Sequence, residues 1–180
     1  MVLVPRMQPA AVFTAAGAAL AAGGLLEAIA GATAERRRSM RDSTVIVTGV
    51  GDRGQVGYAV AAAFLASGAH VVATARTAAV EELAAELAQA GPIVGVVAEL
   101  TDPDDAARVV ATARERFGGL DALINVAGGL GLVKPLADTT PGELAAEVER
   151  NAATLLVMSR AALPLLRESR GAIVNFASPA

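Results

Sequence analysis

The sequence predicts a doubly wound α/β domain, a parallel sheet of five strands in the order 3-2-1-4-5 with helices on both faces. Three observations carry this. Short β-branched apolar runs alternate strictly with longer segments of helical periodicity from residue 43 onward. Those runs lack a polar alternation, as expected of strands covered on both faces. The first of them turns through Gly49, Gly51, Gly54 and Gly57 into a helix start. Right-handed crossovers then fix the strand order.

The elements follow in turn. Val45, Ile46 and Val47 form a run too short for a helix, and Val56, Ala59, Val60, Ala63 and Phe64 recur at helical spacing after the glycines. Gly68 ends that helix, and His70 to Ala75 gives a second strand. Thr77 is a candidate cap for a helix whose Val80, Leu83, Ala84 and Leu87 share a face, ending at Gly91-Pro92. Ile93 to Ala98 is a third strand. Asp102-Pro103-Asp104-Asp105 supplies a cap, a proline at the first helical position and first-turn acids, and the helix it opens stops at Gly118-Gly119. Ala122 to Val126 is the fourth strand. Thr140-Pro141-Gly142-Glu143 reads as a capping box before a long helix to about Arg167, which Pro164 is expected to kink or end. Ala172 to Phe176 is the fifth strand.

Composition narrows the function. An apolar fraction of 54% in 180 residues supports one sizeable core. A net charge of −3 leaves no electrostatic footprint for nucleic acid. With no cysteine and one histidine, disulfides are excluded and a metal site is not expected.

The glycine loop is where chemistry is expected. A strand that turns through glycines into a helix gathers free backbone N–H groups and the positive end of a helix dipole, an anion site whose usual occupant is phosphate. Glycines let a pyrophosphate approach the backbone. Ligands of such sheets bind beyond the carboxyl ends of the strands.

With these motifs in order, the chain resembles the short-chain dehydrogenase/reductase family from about residue 43 to its last residue. Thr48-Gly49 to Gly57 is similar to that family's Thr-Gly-x-x-x-Gly-x-Gly loop, though two residues longer and with Gln55 where a glycine is usual. The longer spacing is similar to the divergent enoyl-reductase branch, while Asn125-Val126-Ala127-Gly128 and the fifth strand favour the standard one. The resemblance implies a Rossmann-type fold and cofactor contacts at Gly49, Gly51, Arg53, Gly54, Gln55, Val56, Gly57, Arg76, Glu99, Leu100, Asn125, Ala127 and Gly128. It implies that Ser178 is the counterpart of the catalytic serine and Asn151 of a helix asparagine that holds a water in the proton relay. Asn125 can instead simply tie strand ends, Asn151 can be an ordinary mid-helix polar residue, and Ser178 a loop serine. His70 and Lys134 are expected to be solvated, and Tyr58 to pack beside the loop.

An NAD site places an acid at the end of the second strand, but here that end is Ala73-Thr74-Ala75-Arg76. Arg76 suits a 2′-phosphate, and Arg53 can add a second charge, so NADP(H) is expected over NAD(H). The family's reaction is hydride transfer between nicotinamide and a carbonyl or alcohol, with a small-molecule partner and, by family habit, a homo-oligomer. Its Tyr-x-x-x-Lys acid/base pair does not occur in this sequence. The expectation is therefore a cofactor-binding part cut before strands six and seven and inactive as given. The alternative is a non-catalytic dinucleotide-binding module.

Residues 1–39 form an Ala/Gly-rich appendage to a domain at 40–180. Met7 to Leu26 carries no charge, and Arg36, Arg37 and Arg38 follow. A membrane anchor through residues 7–34, a secretory signal and a non-native leader before Met40 compete. The leader is preferred, with a cytoplasmic domain.

Overall fold

The computed structural model describes residues 40–129, 131 and 134–177, so the appendage at 1–39 and Ser178 lie outside the described residues. The elements are β1 (Thr44–Thr48), α1 (Val56–Ala66), β2 (His70–Ala75), α2 (Ala79–Leu87), β3 (Ile93–Val97), α3 (Pro103–Phe117), β4 (Ala122–Asn125), α4 (Pro141–Val148), α5 (Thr154–Ser169) and β5 (Ala172–Asn175). The sheet is parallel in the order β3-β2-β1-β4-β5, a Rossmann-like arrangement. Ile46 lies opposite Val72 of β2 and Leu123 of β4, which fixes the centre of the register.

Alternation along β1 divides the core in two. Val45 and Val47 pack with Val60 and Phe64 of α1 and Val80 and Leu83 of α2 on one face. Ile46 packs with Val109 of α3 and Met158 and Leu166 of α5 on the other. All five β1 residues are buried, which is why this strand reads as a continuous apolar run. Removing a side chain such as Ile46 from the middle of two layers leaves a cavity that neither layer can close.

Helix starts follow their caps. The Asp102 carboxylate accepts from the Asp104 N–H at 2.8 Å, with Pro103 at the first helical position. Thr140 and Glu143 form a full capping box at α4. At α2, however, Thr77 offers its carbonyl to the Val80 N–H at 3.3 Å, and Ala78 occupies the cap position without a side-chain bond.

Three further expectations are corrected. Of the kink or the end expected at Pro164, the end does not occur, because α5 continues to Ser169. The carbonyl that proline leaves without a donor belongs to Arg160, four residues earlier, and both residues are exposed, so water can serve it. The long helix is instead interrupted earlier, by a π turn at Glu149–Ala153. Asn151 Nδ2 donates to the Glu147 carbonyl at 2.9 Å and Thr154 Oγ1 to the Arg150 carbonyl at 2.9 Å, so side chains take up carbonyls around the turn. His70 is not freely solvated: its ring stacks on Phe117 with centroids 5.0 Å apart.

The helical stretch from α4 onward leaves apolar surface outward. α4 buries no residue, and Leu144, Val148 and Leu156 are 61%, 56% and 60% exposed. Among the described residues, no helix is long and apolar enough to cross a membrane.

Candidate functional site

β1, β2, β3 and β4 end on the same side of the sheet, and the segments that follow them line a cleft of about 780 Å³. That volume suits a small-molecule or cofactor site, whose usual range is about 300–1,000 Å³.

The glycine loop after β1 is built from two kinds of glycine. Gly49 has φ +75°, and a Cβ there would come within 2.9 Å of the Ala127 nitrogen. Gly57 lies directly against the Gly49 carbonyl, where a Cβ would collide with backbone. These two are required by the protein itself. At Gly51 and Gly54 a Cβ would meet only the Gln55 Oε1 at 3.3 Å, the Ala75 Cβ at 3.8 Å or the Asp52 Oδ1 at 3.2 Å. No backbone closes over them, so that stretch of loop is open to close approach from the cleft. α1 begins at Val56 with Gln55 in the cap position and no side-chain bond to its N–H groups, leaving the helix start free for an anion.

The β1 and β4 ends are tied by a residue the sequence reading passed over. The buried Thr48 hydroxyl accepts from the Val126 N–H at 2.9 Å and the Ala127 N–H at 2.8 Å. Val126, Ala127 and Gly128 thereby form the cleft wall opposite the loop. Its signal was present, since a threonine at the carboxyl end of a buried strand has a hydroxyl that must find a partner.

Asn125 is buried behind this wall rather than in it. Its Nδ2 donates to Asn175 Oδ1 at 2.9 Å and to Ser159 Oγ at 3.3 Å, tying β4 to β5 and α5. Asn151 sits in the π turn and reaches across to the β4 loop. Its side chain accepts from the Gly129 N–H at 2.9 Å and donates to the Gly129 carbonyl at 3.1 Å. Asn151 thus holds the loop that carries Gly128.

At the end of β2, Arg76 is exposed on the cleft and has no ion-pair or hydrogen-bond partner among the described residues. After β3, Glu99 and Leu100 line the cleft. The Glu99 N–H donates to Asp105 Oδ2 at 2.7 Å, and its carboxylate accepts from the Thr101 hydroxyl at 3.0 Å. The Asp105 carboxyl is held below its usual range by the Arg108 guanidinium and by that Glu99 N–H.

Arg53 takes a different direction. It turns out of the loop to Glu86 on α2, donating from Nε at 2.8 Å and from Nη2 at 2.5 Å, and it does not line the cleft. Gln55 and Val56 do line it, as do Gly49, Gly51 and Gly54. The sequence reading also missed Arg150, which faces the cleft from the π turn. The turn shifts the helical phase, so no regular periodicity points to this arginine. Among the described residues no group of acids and histidine could hold a metal.

Known proteins carry the same architecture. The chain is 34% identical over 144 residues to 1,6-dihydroxycyclohexa-2,4-diene-1-carboxylate dehydrogenase of Pseudomonas putida, an alignment covering 79% of this chain and 53% of that one. To 2,3-dihydroxy-2,3-dihydro-p-cumate dehydrogenase of Pseudomonas putida it is 40% identical over 96 residues, covering 53% and 36%. Thus the chain spans about half of the first relative and about a third of the second. The crystal structure of an NADH-dependent reductase, A1-R′, complexed with NAD superposes with a TM-score of 0.69 at 27% identity, over 77% of this chain and 61% of that one. The short chain dehydrogenase pattern itself matches residues 43–180. With that match over most of its length, and a fold that superposes on known members, the chain belongs to the short chain dehydrogenase family.

Proposed function

We propose that this chain is the cofactor-binding part of an NADP(H)-dependent oxidoreductase acting on a small carbonyl or alcohol. One observation carries the reading: a single cleft joins an open glycine loop, an uncapped helix start and an Arg76 that is unpaired among the described residues. In this reading Gly51, Gly54 and the Val56 end of α1 receive the pyrophosphate, and Arg76 receives the 2′-phosphate. Glu99 and Leu100 meet the adenine end, and Ala127 and Gly128 the far wall. When bound, the cofactor supplies hydride exchange at its nicotinamide.

The preference for NADP(H) rests on charge. A carboxylate at the end of β2 would accept ribose hydroxyls and repel a 2′-phosphate. Ala73-Thr74-Ala75-Arg76 offers no acid and one guanidinium with two parallel donors.

A second reading, a module that binds the dinucleotide without turnover, draws on where Tyr58 and Lys134 are engaged among the described residues. The Tyr58 hydroxyl donates to Glu86 at 2.9 Å, outside the cleft, and Lys134 Nζ donates to Glu143 at 2.7 Å. Neither supplies an acid to the cleft, and general acid–base catalysis is worth about 10²–10⁴-fold.

The test is titration of NADPH and NADH fluorescence with the full chain and with Arg76→Ala. The substitution should weaken NADPH by about 1.5–3 kcal/mol and leave NADH nearly unchanged. Equal losses for both dinucleotides would overturn the NADP(H) assignment.

A further inference from the structure

Beside the cleft lies a second, smaller hollow, between the glycine loop and one side of α2. It is lined by Gly51, Asp52, Arg53, Glu82, Leu83 and Glu86, among others, so Gly51 faces both spaces. Its charge is unusual for a place next to a phosphate loop. Three carboxylates surround one guanidinium.

That guanidinium is engaged on one edge, through two of its three nitrogens. Arg53 presents two nitrogens to the Glu86 carboxylate, at 2.8 Å from Nε and 2.5 Å from Nη2, with a further contact from Nε at 3.2 Å. The Tyr58 hydroxyl donates to the same carboxylate at 2.9 Å and holds it in place. Hydrogen bonds from Arg53 and Tyr58 hold the Glu86 carboxyl below its usual range, so it stays charged at neutral pH. Asp52 does not compete for Arg53; its carboxylate accepts from the Gly54 N–H at 2.7 Å and shapes the loop.

We infer that Glu86 is a specificity-determining residue: it holds Arg53 over α2, away from the cleft, and leaves recognition of the 2′-phosphate of NADP(H) to Arg76 alone. The inference rests on the proposed cofactor site. Arg53 lies between Gly51 and Gly54, both on the cleft, so a guanidinium released from Glu86 stands next to the space it now avoids. The latch sets how strongly the site discriminates between the two dinucleotides. Its strength is that of an exposed pair, since Arg53 is 71% and Glu86 39% exposed at the side chain. An exposed pair biases a side chain by a factor of about three to five, so a change of that size is expected rather than a reversal.

A double-mutant cycle on the full chain tests this, read by NADPH and NADH fluorescence titration. Glu86→Ala keeps a good helix former in α2 and should tighten NADPH about three- to fivefold while leaving NADH unchanged. Adding Arg53→Ala to that variant should abolish the gain, whereas Arg53→Ala alone should change NADPH less than twofold. Glu82→Ala removes a carboxylate from the same hollow without touching Arg53 and should leave the ratio as it was. Glu86→Ala acting equally on both dinucleotides, having no effect, or keeping its gain in the double variant overturns the inference. So does an equal gain from Glu82→Ala. Arg76→Ala reports separately on the site: if it fails to act selectively, or if neither dinucleotide binds, the cofactor reading falls and the latch with it.

Discussion

The two sides of the cleft are held by different means. On the glycine-loop side, backbone meets backbone: Gly57 lies under Gly49, Gly49 against Ala127, and all of β1 is buried. On the helical side, α4 buries nothing, and Asn151 pins the Gly129 backbone from an exposed position. Leu144, Val148 and Leu156 turn outward there. The first side is braced by the core and the second by surface hydrogen bonds. Local opening follows such differences, because segments with few buried contacts open at lower free energy than strands of the core. The glycine-loop side of the cleft, with the β4 end it packs on, is therefore built to keep its shape, and the side formed by α4 and the π turn to adjust.

The largest expected effect breaks the core side. Ile46→Ala, in a fully buried central strand, should cost about 2–5 kcal/mol. Ile173→Ala, in the half-buried β5, should cost less than half as much, since its site is only partly removed from water. Urea unfolding of both variants measures the ratio, and equal losses would refute the contrast.

A sharper version compares two polar pins. Thr48→Val leaves the Val126 and Ala127 N–H groups buried without an acceptor, at about 1–3 kcal/mol. Asn151→Ala removes as many bonds to Gly129, but in reach of water, so its cost should stay under about 1 kcal/mol. Denaturant midpoints decide, and a larger loss for Asn151→Ala would reverse the assignment of the rigid side.

The smallest effect is one of pH. The Glu143 carboxyl is held below its usual range first by the Lys134 ammonium and then by the Thr140 backbone N–H. A carboxyl lowered in the folded state contributes fully above its unfolded value and loses that contribution as pH falls through the folded one. Acidification from pH 7 to pH 3 should therefore lower the exchange protection of α4 amides before that of β1. Equal loss in both elements would count against it.

How far the sequence revealed this follows the same division. β1 to β4, their order and the α3 and α4 caps were legible because burial on two faces demands β-branched runs and helix starts demand particular side chains. The cleft residues from Gly49 to Gly128 were legible for the same reason, since each follows a strand end. Arg53 was not, because spacing along a loop does not say on which side a long side chain falls; Glu86, 33 residues away, decides that. Arg150 and the persistence of helix through Pro164 depended on a π turn and on water reaching a carbonyl, neither of which leaves a period in the sequence. His70 found Phe117 through tertiary packing alone.

The contact of Gly57 with Gly49 has a consequence for how this loop can vary. Strand and helix are fastened to each other at those two residues, so the chain between them is a spare arc whose length does not move its ends. On that arc Asp52 and Arg53 face α2 across the smaller hollow, and Arg53 bonds to Glu86 there. Such an arc behaves as an exchangeable cassette: residues 51–55, outside the core that holds Val50, can be lengthened, shortened or recharged to change what the cleft accepts, while the sheet beneath continues to fold as before.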